Sequence, residues 1–161
     1  MSTPAALTFN GVSRCFDVDN KKITALEDIS VAVKAGKITG LIGPDAAGKT
    51  TLMRLATGLL LPDTGNIHVL GIDVVQSPID TQSAVGYMPQ RFGLYEDLSV
   101  QENLDLYADL QGLPLDKRSS RYADLMHMTG LGPFGRRLAG RLSGGMKQKL
   151  GLACTLVGTP R

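Results

Sequence analysis

The chain has 161 residues, 43% of them apolar and 20% charged, with a net charge of +2. That balance fits a folded chain of about one domain and excludes a disordered, collagenous or disulfide-rich one. No uncharged run is long enough to span a bilayer, the first basic residue is Arg14, and two cysteines make no disulfide framework.

Charge is uneven. Residues 1–113 carry 8 basic and 13 acidic side chains, whereas 114–161 carry 9 basic and 2 acidic. A basic second part suits nucleic acid, an anionic membrane surface or a phosphate ligand, and equally a solvated surface. The 19 glycines, against about 11 at average usage, cluster at 36–48, 130–135 and 140–145. Such clusters bring backbone close to a ligand or simply form tight turns.

In chain order, Leu7 to Phe16 and Lys22 to Val33 read as strands joined by the turn Asp17-Val18-Asp19-Asn20. The short apolar run Ile38 to Ile42 reads as a buried strand. A helix from Lys49 carries Leu52, Leu55, Ala56 and Leu59 on one face and stops by Pro62. Residues 67–70, 72–75 and 84–88 read as short strands. Ser99 with Glu102 forms a capping box for a helix running to about Gln111. A second helix covers about 115–128 and ends at Gly130. A last one follows Ser143, with Met146, Leu150, Ala153, Cys154 and Val157 on one stripe.

Gly43-Pro44-Asp45-Ala46-Ala47-Gly48-Lys49-Thr50 matches G-x-x-x-x-G-K-[ST], with an apolar run before it and an amphipathic helix after it, the context that a phosphate-binding loop requires. Gly43 and Gly48 let the turn wrap a phosphate with backbone N–H groups, and the positive end of the helix dipole faces the same anion. Lys49 offers a point charge to the β- and γ-phosphates, the Thr50 hydroxyl a Mg²⁺ ligand, and Thr51 a hydrogen bond to the α-phosphate. The bland reading is a glycine-rich turn without ligand.

A second motif, LSGGMKQK at 142–149, begins the last helix, its serine 94 residues after Lys49. Ser143 is placed as N-cap, and Gly144 and Gly145 leave N–H groups bare, again an anion site. A single nucleotide site rarely needs two such helix starts, whereas two copies arranged head to tail would use one from each.

On these residues the sequence resembles the ATP-binding cassette (ABC) ATPases over essentially its whole length. GYMPQ at 86–90 looks like the family's Q-loop with Gln90 its glutamine, and Phe16 stands where the family places the aromatic that stacks on adenine. GLYEDLSVQENL at 93–104 with LSGGMKQK is similar to the exporter branch handling multidrug-type or sodium-type substrates.

The resemblance implies an α/β P-loop core with a parallel sheet, an antiparallel β region and an inserted helical subdomain. Residues 1–90 and 146–161 belong to the core and 91–145 to the helical part. It implies ATP and Mg²⁺ as cofactors, with Thr50 and Gln90 at the metal and Lys49 and Gln90 in catalysis. The partners implied are a second ABC domain, whose ATP would meet Ser143, Gly144 and Gly145, and transmembrane permease subunits docking around 92–98; nucleic acid is not implied. The place implied is cytoplasmic, peripheral on the inner face of the membrane. A soluble ABC protein acting on ribosomes is the alternative. Only 91 residues lie between the motifs, which disfavours the branch with a long inserted coiled coil. The guanine motif N-K-x-D is missing, which disfavours a GTPase.

The sequence departs from the family at Asp45 and Ala46, where asparagine and glycine are commoner. A carboxylate near a phosphate weakens binding unless compensated, and alanine tolerates fewer backbone conformations. The sequence stops at Arg161, where the family's Walker B strand begins, so the expectation is a fragment of a longer cassette protein that binds nucleotide weakly and hydrolyses it very slowly or not at all. Each site residue has a plain reading beside the functional one: Phe16 as core or surface, Gln90 as a loop glutamine, and Arg136, Arg137 and Arg141 as a solvated patch.

Overall fold

The computed structural model describes residues 5–90 and 93–161, which fall into two compact units, one up to Val85 and one from Gly86 onward. Phe92, at one end of the expected docking surface, lies outside the described residues.

The first unit is built on a long hairpin, β1 (Ala5–Val18) and β2 (Lys21–Lys34). Its turn is Asp19-Asn20, both at positive φ (49° and 60°), the geometry that matches a two-residue turn to the twist of the strands. Asp and Asn tolerate this conformation better than other side-chain-bearing residues. β1 also pairs antiparallel with β3 (Thr64–Val69), which pairs with β4 (Ile72–Asp73), giving the order β2-β1-β3-β4. Phe9, Val12, Leu26, Ile67, Val69 and Val74 close over Leu55 and Ala56 of α1 (Lys49–Ala56) to form the core.

Two expectations shift here. The helix ends at Ala56 rather than near Pro62, because Gly58 turns left-handed (φ 67°) and the Leu59 and Leu60 N–H groups both return to the Arg54 carbonyl. Leu59 therefore leaves the stripe and is exposed. The run 38–42 is not a strand: it has no ladder partner among the described residues, and Ile38 and Ile42 are almost fully exposed. Strand geometry is held by a neighbour's backbone, and apolar residues alone do not supply one. The same holds for the expected strand 84–88, whose first residue closes a short helix, α2 (Pro78–Ala84), and whose remaining residues join no ladder among the described residues. All pairing among the described residues is thus antiparallel.

The second unit is helical: α3 (Val100–Leu110), α4 (Leu115–Thr129) and α5 (Gly144–Leu156). α3 opens with the full capping box. Glu102 N–H donates to Ser99 Oγ at 3.2 Å, and Ser99 N–H donates to the Glu102 carboxylate at 2.7 Å. The Ser99 hydroxyl and the Ser99 N–H, both beside the Glu102 carboxylate, hold its carboxyl below the ordinary range. α4 ends on Gly130 at φ 67°, a left-handed C-cap. Leu150, Ala153, Cys154 and Val157 form the inner stripe of α5 against Leu104, Ala108 and Leu125. The same burial pushes the Cys154 thiol up to about 12.

Candidate nucleotide-binding site

In the first unit, Gly43 to Thr51 form one continuous loop and helix start. Gly48 is the N-cap of α1 and lies at φ 82°. A Cβ there would stand 2.5 Å from the Ala25 carbonyl oxygen and 2.8 Å from Leu26 Cδ2, so no side chain fits against β2. At Gly43 a Cβ would meet only Ala47 Cβ, at 3.8 Å. Of the two motif glycines, Gly48 is the one the backbone demands.

The helix start is open. The first bond of α1 runs from Leu52 N–H to the Gly48 carbonyl at 2.9 Å, and no side chain caps the helix. The N–H groups of Lys49, Thr50 and Thr51 precede that bond and have no intrahelical acceptor. Pro44 to Ala47 form the outer turn, closed by Ala47 N–H on the Pro44 carbonyl at 3.4 Å. The Lys49 ammonium folds back over this turn and donates to the Gly43 carbonyl at 2.9 Å and the Pro44 carbonyl at 2.5 Å. Gly43, Pro44, Asp45, Ala46, Ala47 and Thr50 are exposed. Ala46 sits at φ 63°, a left-handed position that alanine adopts only with strain. This donor set, three bare N–H groups and one ammonium around an exposed turn, fits a phosphate. The Thr50 hydroxyl fits a hard cation that takes oxygen ligands.

Phe16 lies near the tip of the hairpin, half-buried, directly across from Ile23. The Arg14 guanidinium stands over its ring, 5.1 Å from the centroid. That cation was not a sequence candidate. Asp63, which anchors it and is 49 residues away, left no local signal.

In the second unit, Ser143 caps α5, its hydroxyl accepting from Met146 N–H at 3.3 Å. Ser143, Gly144 and Gly145 are all exposed, and a Cβ at either glycine would meet nothing within 4 Å among the described residues. Gln90 is exposed in a bend after an extended stretch. That stretch is anchored at Gly86, where a Cβ would lie 2.9 Å from Thr155 Cγ2 of α5.

The start of α5 is tied to the stretch before α3. Lys147 pairs with Glu96 at 2.6 Å. Gly140 N–H donates to the Glu96 carbonyl at 2.9 Å, and Ala139 N–H to the Leu98 carbonyl at 2.8 Å. Buried Asn103 holds the stretch from the inside, accepting from Tyr95 N–H and donating to the Tyr95 and Ser99 carbonyls. Arg136, Arg137 and Arg141 are exposed. Among the described residues no group of His, Cys, Asp and Glu is arranged to hold a metal, and no helix is long and apolar enough to cross a membrane.

A family model described as ABC transporter matches residues 26–161. The chain belongs to the ABC transporter family. It is 53% identical over 98% of its length to the probable multidrug ABC transporter ATP-binding protein YbhF of Escherichia coli K12. It is 35% identical over 97% to the doxorubicin resistance ATP-binding protein DrrA of Mycobacterium tuberculosis. The chain spans 27% of YbhF and 46% of DrrA. Among solved structures it is similar to an ATP-binding subunit of an ABC transporter (TM-score 0.81, 28% identity, 96% of this chain and 63% of that one). It also shares its fold with a dimeric ATP-binding cassette bound to ADP and Pi (TM-score 0.84, 22% identity, 96% of this chain and 70% of that one). The architecture is thus that of part of a P-loop ABC domain, an antiparallel sheet with helices. Phe16 falls outside the stretch matched by the family model.

Proposed function

We propose that the chain is the ATP-binding part of an ABC transporter ATPase that powers export across the cytoplasmic membrane. The observation that carries this reading is the uncapped start of α1, with the Lys49 ammonium laid across the turn at 43–44. In this reading residues 43–51 wrap the phosphates of ATP. Lys49 leaves the two carbonyls to meet the terminal phosphates, and Thr50 and Gln90 ligate Mg²⁺. Bound Mg-ATP supplies the phosphoanhydride whose cleavage drives transport. Asp45 adds a negative charge on the exposed turn and weakens the site unless Mg²⁺ or a partner offsets it.

Ser143, Gly144 and Gly145 face the nucleotide of a second ABC domain in a head-to-tail pair, and Gln90 also senses the permease. The exposed stretch around Tyr95 and Glu96 receives the permease subunits, which place the protein at the inner membrane face. Support comes from the names of YbhF and DrrA, both drug-related ATP-binding proteins, and from the dimeric state of one structural neighbour.

The test is a thermal melt of the chain with and without Mg-ATP, beside Lys49→Ala. A site filled to a hundred times its dissociation constant adds about 2.7 kcal/mol of stability, a rise of several degrees for a domain of this size. The expected result is a rise that disappears in Lys49→Ala. A cooperative melt unmoved by Mg-ATP, or moved equally in the variant, refutes the site. Co-sedimentation with ribosomes rather than with membranes would favour the soluble alternative.

A further inference from the structure

The β1–β2 hairpin connects the phosphate loop to Phe16. Gly48 presses against Ala25 and Leu26 of β2, and Leu26 is the ladder partner of Arg14. Phe16 lies two residues further along β1, about 7 Å at strand spacing. It shares a sheet face with Ile23 across the ladder. Ile23 is 50% exposed and Val18 46%, so the ring borders an open apolar surface at the hairpin tip.

One face of that ring is already taken by the Arg14 guanidinium. Arg14 is itself gripped: its Nη1 donates to Asp63 Oδ1 at 2.5 Å, while the Cys15 N–H donates to Asp63 Oδ2 at 2.7 Å. One carboxylate thus holds both the cation and the backbone between the cation and the ring. Arg14 Nε is buried and, among the described residues, has no acceptor, so Asp63 and the ring are what fix the side chain. The pair is charge-neutral. The cation covers one face of a ring bordered by apolar side chains, the ring for which the resemblance implies stacking on a base.

We propose that Arg14, clamped by Asp63, is a positioning residue for Phe16, the ring that the family resemblance already sets against the base of a nucleoside triphosphate whose phosphates lie at residues 43–51. This rests on the reading of that loop as the phosphate site. The cation fixes the ring plane, and its attraction for the ring is retained when a base stacks on the opposite face.

The experiment compares binding of Mg-ATP with Mg-tripolyphosphate, which has the phosphates and no base, by calorimetry on the chain and on Arg14→Met, Arg14→Lys, Asp63→Asn, Phe16→Ala and Lys49→Ala. Arg14→Met should weaken Mg-ATP about two- to fivefold, the range of an exposed cation–π contact, and leave tripolyphosphate unchanged. It should add nothing once Phe16 is alanine, and Arg14→Lys should recover part of the loss. Asp63→Asn, which keeps an acceptor for the Cys15 N–H, should shift Mg-ATP the same way by less. Ring resonances of Phe16 in the nucleotide-free chain should show faster ring motion in Arg14→Met. Equal weakening of both ligands, unchanged Mg-ATP affinity, or additivity with Phe16→Ala overturns the proposal. Mg-ATP and tripolyphosphate binding that survive Lys49→Ala would overturn the phosphate-loop reading, while the Arg14–Phe16 cycle would still judge the clamp. A chain that binds neither ligand overturns both.

Discussion

Gly48 and Gly71 form a matched pair on which the geometry of the phosphate loop can be judged. Both have φ 82°, and alanine at either position meets the same left-handed penalty of roughly 1–2 kcal/mol. The unfolded chain loses freedom on the same substitution, which returns about 0.4–1 kcal/mol. At Gly71 nothing lies within 4 Å of the added methyl, so the net loss should be roughly 1 kcal/mol or less. At Gly48 the methyl lands 2.5 Å from a backbone carbonyl oxygen of β2 and 2.8 Å from Leu26 Cδ2. Neither neighbour is the free end of a flexible chain, since Leu26 belongs to the core. Overpacking of this kind adds about 1–3 kcal/mol, and α1 must back away from the hairpin. Urea titration followed by far-ultraviolet circular dichroism gives the two midpoints. Gly48→Ala should fall well below Gly71→Ala, and its Mg-ATP melt shift should disappear. Equal midpoints would refute the close approach of loop and hairpin.

Other expectations follow from single residues. Ala46→Gly removes a left-handed alanine at φ 63° and should hold or raise the melting temperature, by up to about 1 kcal/mol of stability after the unfolded-state cost; a fall would contradict the strain. Ser99→Ala deletes the cap of α3 and should cost about 1 kcal/mol in a urea titration. Glu102, whose carboxyl is lowered first by the Ser99 hydroxyl and then by the Ser99 N–H, contributes stability above its unfolded pKa, lost as pH falls through the lower folded one. Glu102→Gln should therefore flatten the acid limb of the melting curve, and an unchanged limb would count against it. Cys154, buried with its thiol pushed up to about 12, should resist a thiol reagent at pH 8 until urea unfolds the chain, whereas half-buried Cys15 should react in the native state.

Features carried by neighbouring side chains were legible in the sequence. The Ser99–Glu102 box, the Ser143 cap and the Gly130 stop each signal through residues at most a few positions apart, and each is present, while the expected turn at 17–20 narrows to Asp19-Asn20 because Asp17 and Val18 pair with Lys22 and Lys21. Features that need a distant partner were not. The run 38–42 has strand composition and no ladder among the described residues, because pairing is a property of two segments. α2 spans seven residues, too few to show a periodic stripe, although Pro78 at its first position and Asp80 in its first turn were available signals. The Arg14–Asp63 clamp joins residues whose only link is the registry of β1 beside the start of β3. The glycines of the phosphate loop were legible as a set, but their unequal roles emerged only from the contact of Gly48 with β2.

The posture of Lys49 bears on how substitutions there are interpreted. Its ammonium donates to the Gly43 and Pro44 carbonyls and so ties the turn from inside. If residues 43–51 take phosphates as proposed, binding is an exchange of acceptors by one cation rather than the capture of a wandering side chain. Replacing Lys49 by alanine deletes a charge and also unties the turn, so the resulting defect sums two losses. Lysine replaced by arginine keeps the charge while altering the tie, and comparing the two variants separates attraction for the anion from the shape that awaits it.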